Sequence, residues 1–139
     1  MSDSSQEILI VDDEPALLKL MSVYVRRLAF SVTSANTMAK AWEHLKRTPE
    51  RYAVVVLDAG MADTGIDDLV LELLAFHPSL RVVVNSGYPV DMSVLRQAAP
   101  ERVEFLHKPF SPDMLVAALR RMLGPQKASS ATPLPACRD

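Results

Sequence analysis

The chain has little of what a disulfide scaffold, a membrane protein or a nucleic-acid binder needs. Cys137 is its one cysteine, so no internal disulfide can form, and that usage fits a reducing cytoplasm. It stands in a polar tail and reads as an ordinary surface thiol. No apolar run approaches the roughly 20 residues of a membrane-spanning helix. The opening MSDSSQE lacks the basic-then-apolar order of a secretory signal. Neither sign of charge dominates: 15 Lys and Arg stand against 17 Asp and Glu, for a formal net charge of -2. That balance offers no electrostatic footprint to nucleic acid or an anionic membrane. There is no internal repeat. His44, His77 and His107 are too scattered to form a metal cluster.

What is present is an alternation. The 139 residues suit one domain, and 49% are apolar, enough for a substantial core. Short β-branched runs take turns with longer stretches of helical period. ILIV, Ile8 to Val11, is apolar throughout, as a strand buried on both faces should be. Pro15 opens a helix with Leu17, Met21, Tyr24 and Leu28 on one face. Phe30 to Thr33 is the second strand. Asn36 caps a helix whose inner face includes Met38, Ala41 and Leu45, closed by Pro49; Trp42 on that helix reads as a packing residue. Ala53 to Leu57 is the third strand. Ile66 to His77 is a helix with Leu69, Leu73 and Phe76 inward. Arg81 to Asn85 is the fourth strand, Val90 to Ala99 a weaker helix, and Val103 to Leu106 the fifth strand. Ser111 caps and Pro112 starts a last helix, with Leu115, Leu119 and Met122 inside and Gly124 at its end.

Five strands each followed by a helix give an α/β fold, a doubly wound parallel sheet of order 2-1-3-4-5 in the flavodoxin-like (βα)5 arrangement. The expected organisation is a disordered N-terminus over 1–6, the folded domain over 7–123, and a Pro/Ser/Ala-rich tail or linker over 124–139.

In such a sheet the carboxyl ends of the strands form the binding edge. Strand one ends in Asp12, Asp13 and Glu14, strand three in Asp58, strand four in Ser86 and Gly87, and strand five in Lys108 and Pro109. Crowded carboxylates are unfavourable without an offsetting cation. Mg²⁺, which takes a few carboxylates plus water, supplies one, and Lys108 can pair with Asp58. An oxygen nucleophile, a metal, a cation and a hydroxyl are what phosphoryl transfer onto a carboxylate requires.

With these pieces in that order (ILIVDDEP, VVVLDAGM, VVVNSGYP, FLHKPF), the chain resembles the CheY-like receiver domain of bacterial two-component response regulators over roughly residues 7 to 123. The resemblance implies that Asp58 accepts a phosphoryl group from a sensor histidine kinase or a phosphotransfer protein. It implies Mg²⁺ (or Mn²⁺) held by Asp12, Asp13, Asp58 and the backbone carbonyl of Gly60, with Asp13 the direct ligand of the acidic pair and Asp12 acting partly through water. Ser86 takes the switch-hydroxyl position, Phe105 the switch-aromatic position, and Lys108 contacts the phosphoryl group. The Lys108–Pro109 bond is expected cis. Gly60 and Tyr88 occupy the lifetime-tuning positions, and the phosphoryl lifetime is expected to be governed by how far Tyr88 shields Asp58. The implied output is a change in the face made by helix four, strand five and helix five, which is also a homodimerisation surface in the family. A cytoplasmic domain that catalyses only its own phosphorylation and dephosphorylation follows, without direct nucleic-acid or membrane binding.

The loop after Asp58 departs from the family. Met61 is in place, Ala62 stands where proline is common, and Gly65 comes one residue early. Met38 replaces a frequent glycine, and Ala99 to Arg102 replace the common Gly-Ala pair. An aspartyl-phosphate phosphatase would want a second carboxylate at position 60, which is glycine. A nucleotide or flavin module would want a Gly- or Ser/Thr-rich loop in place of the acidic DDEP. A degenerate receiver serving only protein interaction, and the C-terminal receiver of a hybrid histidine kinase, stay open, although the early Met1 favours a receiver at the start of its chain.

Overall fold

The computed structural model describes residues 7–28, 30–63 and 65–123. The elements run β1 (Glu7–Val11), α1 (Pro15–Arg27), β2 (Ser31–Ala35), α2 (Met38–Arg47), β3 (Tyr52–Asp58), a 3-10 turn (Ala59–Met61), α3 (Ile66–Phe76), β4 (Arg81–Ser86), α4 (Ser93–Ala98), β5 (Val103–His107) and α5 (Pro112–Leu123). The strands form one sheet of order β2-β1-β3-β4-β5, every pairing parallel. The expected architecture is therefore the observed one.

Side chains alternate across a strand, and this sorts the core into two layers. Leu9, Val11, Val55, Leu57, Val82 and Val84 pack on one face with Leu45 of α2, Leu73 of α3 and Leu95 of α4. Ile8, Ile10, Val54, Val56, Val83 and Leu106 pack on the other with Met21 and Val25 of α1 and Leu115 and Leu119 of α5. Each fully buried Ile, Leu or Val contributes about 1.5–3 kcal/mol of hydrophobic transfer free energy. The two-sided burial explains why β1, β3 and β4 read as unbroken apolar runs.

Several local expectations shift. The second strand is Ser31–Ala35, not Phe30 to Thr33, because its register against β1 runs from Glu7↔Ser31 to Val11↔Ala35. Phe30 packs against the α1/α5 layer instead. Thr37, not Asn36, caps α2: it is extended and its hydroxyl accepts the Lys40 N–H. On α1 the buried residues are Met21, Ser22 and Val25, with Leu17 half-buried beside them. Ser22 tolerates this because its hydroxyl donates to the Leu18 carbonyl at 2.8 Å. On α3, Val70, Leu73 and Leu74 are buried, and Leu69 and Phe76 lie at the margin. Trp42 meets Phe76 edge-on at 5.7 Å, as a packing residue should.

The fourth helix is much shorter than Val90 to Ala99. Asp91 accepts both the backbone N–H and the hydroxyl of Ser93, and this local turn delays the helix start. For α5 the expectations hold: Ser111 accepts the Met114 N–H, and Leu115, Leu119 and Met122 are buried. Gly124 and the expected disordered segments 1–6 and 124–139 lie outside the described residues. No described helix is long and apolar enough to cross a membrane.

Candidate functional site at the carboxyl edge of the sheet

β1, β3, β4 and β5 deliver their strand-end residues to one place. Asp12 follows β1 and is fully buried. Its carboxylate accepts the Glu14 N–H at 2.9 Å. Asp58 closes β3 and accepts the Gly60 N–H at 3.4 Å as the following 3-10 turn begins. Asp13 is exposed. Each of the three offers a carboxylate oxygen, and these atoms lie within 4.8 Å of one another. Such an all-oxygen set suits a hard divalent cation. Of the expected ligands, the three carboxylates are thus brought together, and Gly60 lies in the turn directly after Asp58.

Lys108 reaches this cluster from the end of β5. Its Nζ lies 3.4 Å from Asp12 Oδ2 and 3.4 Å from Asp58 Oδ1. Sequence spacing pairs it with Asp58 alone; the fold shares it equally with Asp12. Its backbone N–H donates to the Ser86 carbonyl at 2.8 Å, which ties the β5 end to the β4 end. The Lys108–Pro109 bond is cis, as expected.

The electrostatics follow from burial. Desolvation pushes the Asp12 carboxyl above the usual aspartate value, and the nearby Asp58 charge adds to this. The Glu14 N–H and Lys108 oppose the shift without cancelling it. Burial alone would lower the Lys108 pKa, but Asp12 and Asp58 together outweigh it and the ammonium is held above its ordinary value. The edge therefore carries three acids around one ammonium, and a second cation would relieve it.

Ser86 is buried, and its Oγ accepts the Tyr88 N–H at 3.0 Å. Phe105 is half-buried at the edge of the α2/α3/α4 layer, with its ring 6.2 Å from the exposed His107. Tyr88 is 79% exposed, so in this state its ring lies in solvent rather than over Asp58. Gly65 adopts φ 124° just before α3, a conformation that L side chains rarely adopt. An open cleft of about 600 Å³ beside Lys108 is lined by Glu14, Leu17, Leu20, Gly87, Pro109 and Phe110.

One neighbour carries no sequence signal beyond its place in an apolar run. Asn85 is the register partner of Asp58 and is fully buried. An amide ending RVVVN reads as a strand terminus until the register is known.

Comparisons with known proteins bear on the family and the fold. Over 130 residues the chain is 25% identical to the DNA-binding transcriptional regulator NtrC of Azospirillum brasilense, covering 94% of this chain and 27% of that protein. It is 28% identical over 122 residues to the sensor kinase CckA of Brucella abortus, covering 88% of this chain and 13% of that protein. The chain thus spans about a quarter or less of these relatives' lengths. In fold it is similar to a CheY-like response regulator receiver domain protein from Methanospirillum hungatei JF-1, with TM-score 0.75 at 22% identity, covering 89% of this chain and 98% of the other. Residues 8–120 match the family described as the response regulator receiver domain, and the chain belongs to that family of two-component signalling.

Proposed function

We propose that Asp58 is the phosphoacceptor of this receiver domain, taking its phosphoryl group from a phosphohistidine of a sensor kinase or phosphotransfer protein. The observation that carries this reading is the meeting of Asp12, Asp13 and Asp58 around Lys108. In the transfer, the P–N bond of the phosphohistidine breaks and its electron pair returns to the imidazole. An Asp58 carboxylate oxygen forms the new bond to phosphorus. Asp12, Asp13 and Asp58, helped by the Gly60 carbonyl, would hold Mg²⁺ (or Mn²⁺), which when bound neutralises the acidic edge and lets a phosphate dianion approach. Lys108 contributes a fixed positive charge on the same side and follows the charge as it moves onto the phosphoryl oxygens. The cleft flanked by Lys108 and the half-exposed Leu20 gives the donor protein a surface within reach of Asp58.

Phosphorylation adds roughly two negative charges and three acceptor oxygens. Ser86 turns its hydroxyl from the Tyr88 N–H toward them, Phe105 moves into the space released, and the α4–β5–α5 face changes shape. That is a population shift biased by a local charge. A receiver at the C-terminus of a hybrid kinase is a second reading, favoured by the likeness to CckA; the chemistry at Asp58 is the same in both.

Incubation with Mg²⁺ and acetyl phosphate, followed by intact mass, tests the assignment. One phosphoryl adduct is expected on wild type and none on Asp58→Asn. An adduct that survives Asp58→Asn, or none on wild type, overturns it.

A further inference from the structure

Asn85 sits where an apolar residue would pack without cost. It follows Val83 on the α1/α5 face of the sheet, the face that also holds Val56 and Leu106. Strand alternation puts Asp58, two residues after Val56, on that same face. Register makes Asp58 and Leu106 its neighbours on either side, and paired strands run about 4.8 Å apart. The residue is fully buried. Neither its Oδ1 nor its Nδ2 finds a hydrogen-bond partner among the described residues. Buried polar groups are almost always paired, and an unpaired one destabilises the fold that keeps it. The carboxamide is therefore poised for a partner absent from the resting arrangement, and the nearest functional group in register is the Asp58 side chain.

In the resting site Lys108 and the Gly60 N–H both meet the same oxygen of Asp58, Oδ1, and Asn85 makes no hydrogen bond to either carboxylate oxygen. Phosphorylation turns one of its oxygens into the bridge to phosphorus and leaves the other as a lone carbonyl oxygen. The negative charge moves outward, and Lys108 moves with it. We propose that Asn85 is a positioning residue of the phosphoryl site, its Nδ2 amide donating to the carbonyl oxygen that Asp58 retains in the adduct. This hydrogen bond is absent from the unphosphorylated structure, so forming it favours the phosphorylated state at equilibrium. Asn85 thereby fixes the carbonyl plane, and with it the direction of the phosphoryl group toward Ser86 and Lys108.

The inference rests on Asp58 as phosphoacceptor, so the wild type must first bind Mg²⁺ and beryllofluoride, a phosphoryl mimic, in a manner abolished by Asp58→Asn. Failure there sinks the phosphoacceptor reading. With that in hand, Asn85→Leu, nearly isosteric and unable to hydrogen-bond, is expected to weaken beryllofluoride affinity roughly tenfold, the loss of one hydrogen bond near a charge. Its thermal midpoint without ligand should match or exceed wild type. Asn85→Thr, which keeps a donor, should recover part of the affinity. Unchanged affinity in Asn85→Leu overturns the proposal. Should Asn85→Leu not fold, the wild type decides by itself: the Asn85 side-chain amide protons, observed by ¹⁵N NMR, must shift when beryllofluoride and Mg²⁺ are added. Unmoved resonances overturn the proposal as well.

Discussion

Strand β1 has a buried carboxylate at each end, and the two are held in opposite ways. At the amino end, Glu7 has partners of its own: Arg51 Nε at 3.3 Å and the Thr33 hydroxyl, which in turn accepts from the Tyr52 hydroxyl. On the same edge Arg102 donates to the carbonyls of Leu74, His77 and Leu80 at 2.8–2.9 Å, closing the end of α3. At the carboxyl end, Asp12 and Asp58 share one ammonium at 3.4 Å each, and Asn85 beside them has no hydrogen-bond partner among the described residues. The amino edge pairs Glu7 and Arg102 within the fold, although the buried Arg81 Nε at the start of β4 has no partner among the described residues; the carboxyl edge is short of cations around its acids. Bonds completed in the resting fold have nothing left to offer a ligand; bonds left open do.

The largest break in that comparison is at the amino edge, at Arg102. Arg102→Met removes three charge-assisted hydrogen bonds and strands the Leu74, His77 and Leu80 carbonyls at and beyond the end of α3, so a loss of about 2–3 kcal/mol in urea-unfolding stability is expected, with phosphoryl uptake at Asp58 retained. A stable variant would mean that water replaces the guanidinium without loss.

Next comes a difference in sign. Glu7→Gln should cost up to about 1 kcal/mol, since Arg51 is half-exposed. Asp12→Asn should stabilise the metal-free domain by about 1 kcal/mol, because it removes a buried charge that is poorly offset. The same variant should gain less from added Mg²⁺ in thermal melts. If both substitutions destabilise equally, the two edges are not built differently.

The pH profile sharpens the same point with a smaller effect. The folded-state pKa of Asp12 is raised, so the native state binds that proton more tightly than the unfolded chain. Its favourable contribution is complete below the ordinary value of 3.8 and is lost as pH climbs through the raised value. Stability of the metal-free domain should therefore fall across that window in wild type, relative to Asp12→Asn. For Lys108, also raised, the contribution is complete below 10.5 and lost above it. Lys108→Met should lack that alkaline loss. Denaturant midpoints against pH check both signs.

The smallest effect is expected at Tyr88. A ring that is 79% exposed shields little, so Tyr88→Ala should leave the dephosphorylation rate near wild type. A marked acceleration would restore the shielding role that its position in the sequence implies, and would mean that the ring folds over Asp58 in the phosphorylated state.

Most of the fold was legible because its signals are local and repeated. Unbroken runs such as VVVL mark strands buried on both faces, and Pro15, Pro112 and Ser111 mark helix starts. Asp58 was legible as a charge ending such a run. What escaped depends on how elements meet. Whether Asn36 or Thr37 caps α2 turns on one residue's backbone angles. The α1 stripe is set by how the helix rolls on the sheet, which lets Ser22 inside. The equal sharing of Lys108 between Asp12 and Asp58, and the burial of Asn85 beside the latter, exist only once the parallel register is fixed. Arg102 drew notice as a departure from a Gly-Ala pair, yet its three carbonyl partners come from segments more than 20 residues away.

The brevity of α4 has a consequence in time rather than in shape. Six residues make fewer than two turns, well short of the length at which a helix holds itself in water. Of those six only Leu95 is buried, with Met92 and Ala99 buried just beyond either end. Its amides should be among the first of the helical ones to exchange with deuterium, on a clock set by local opening rather than global unfolding. The short helix leading into β5 is thus expected to open and re-form locally more readily than the longer helices.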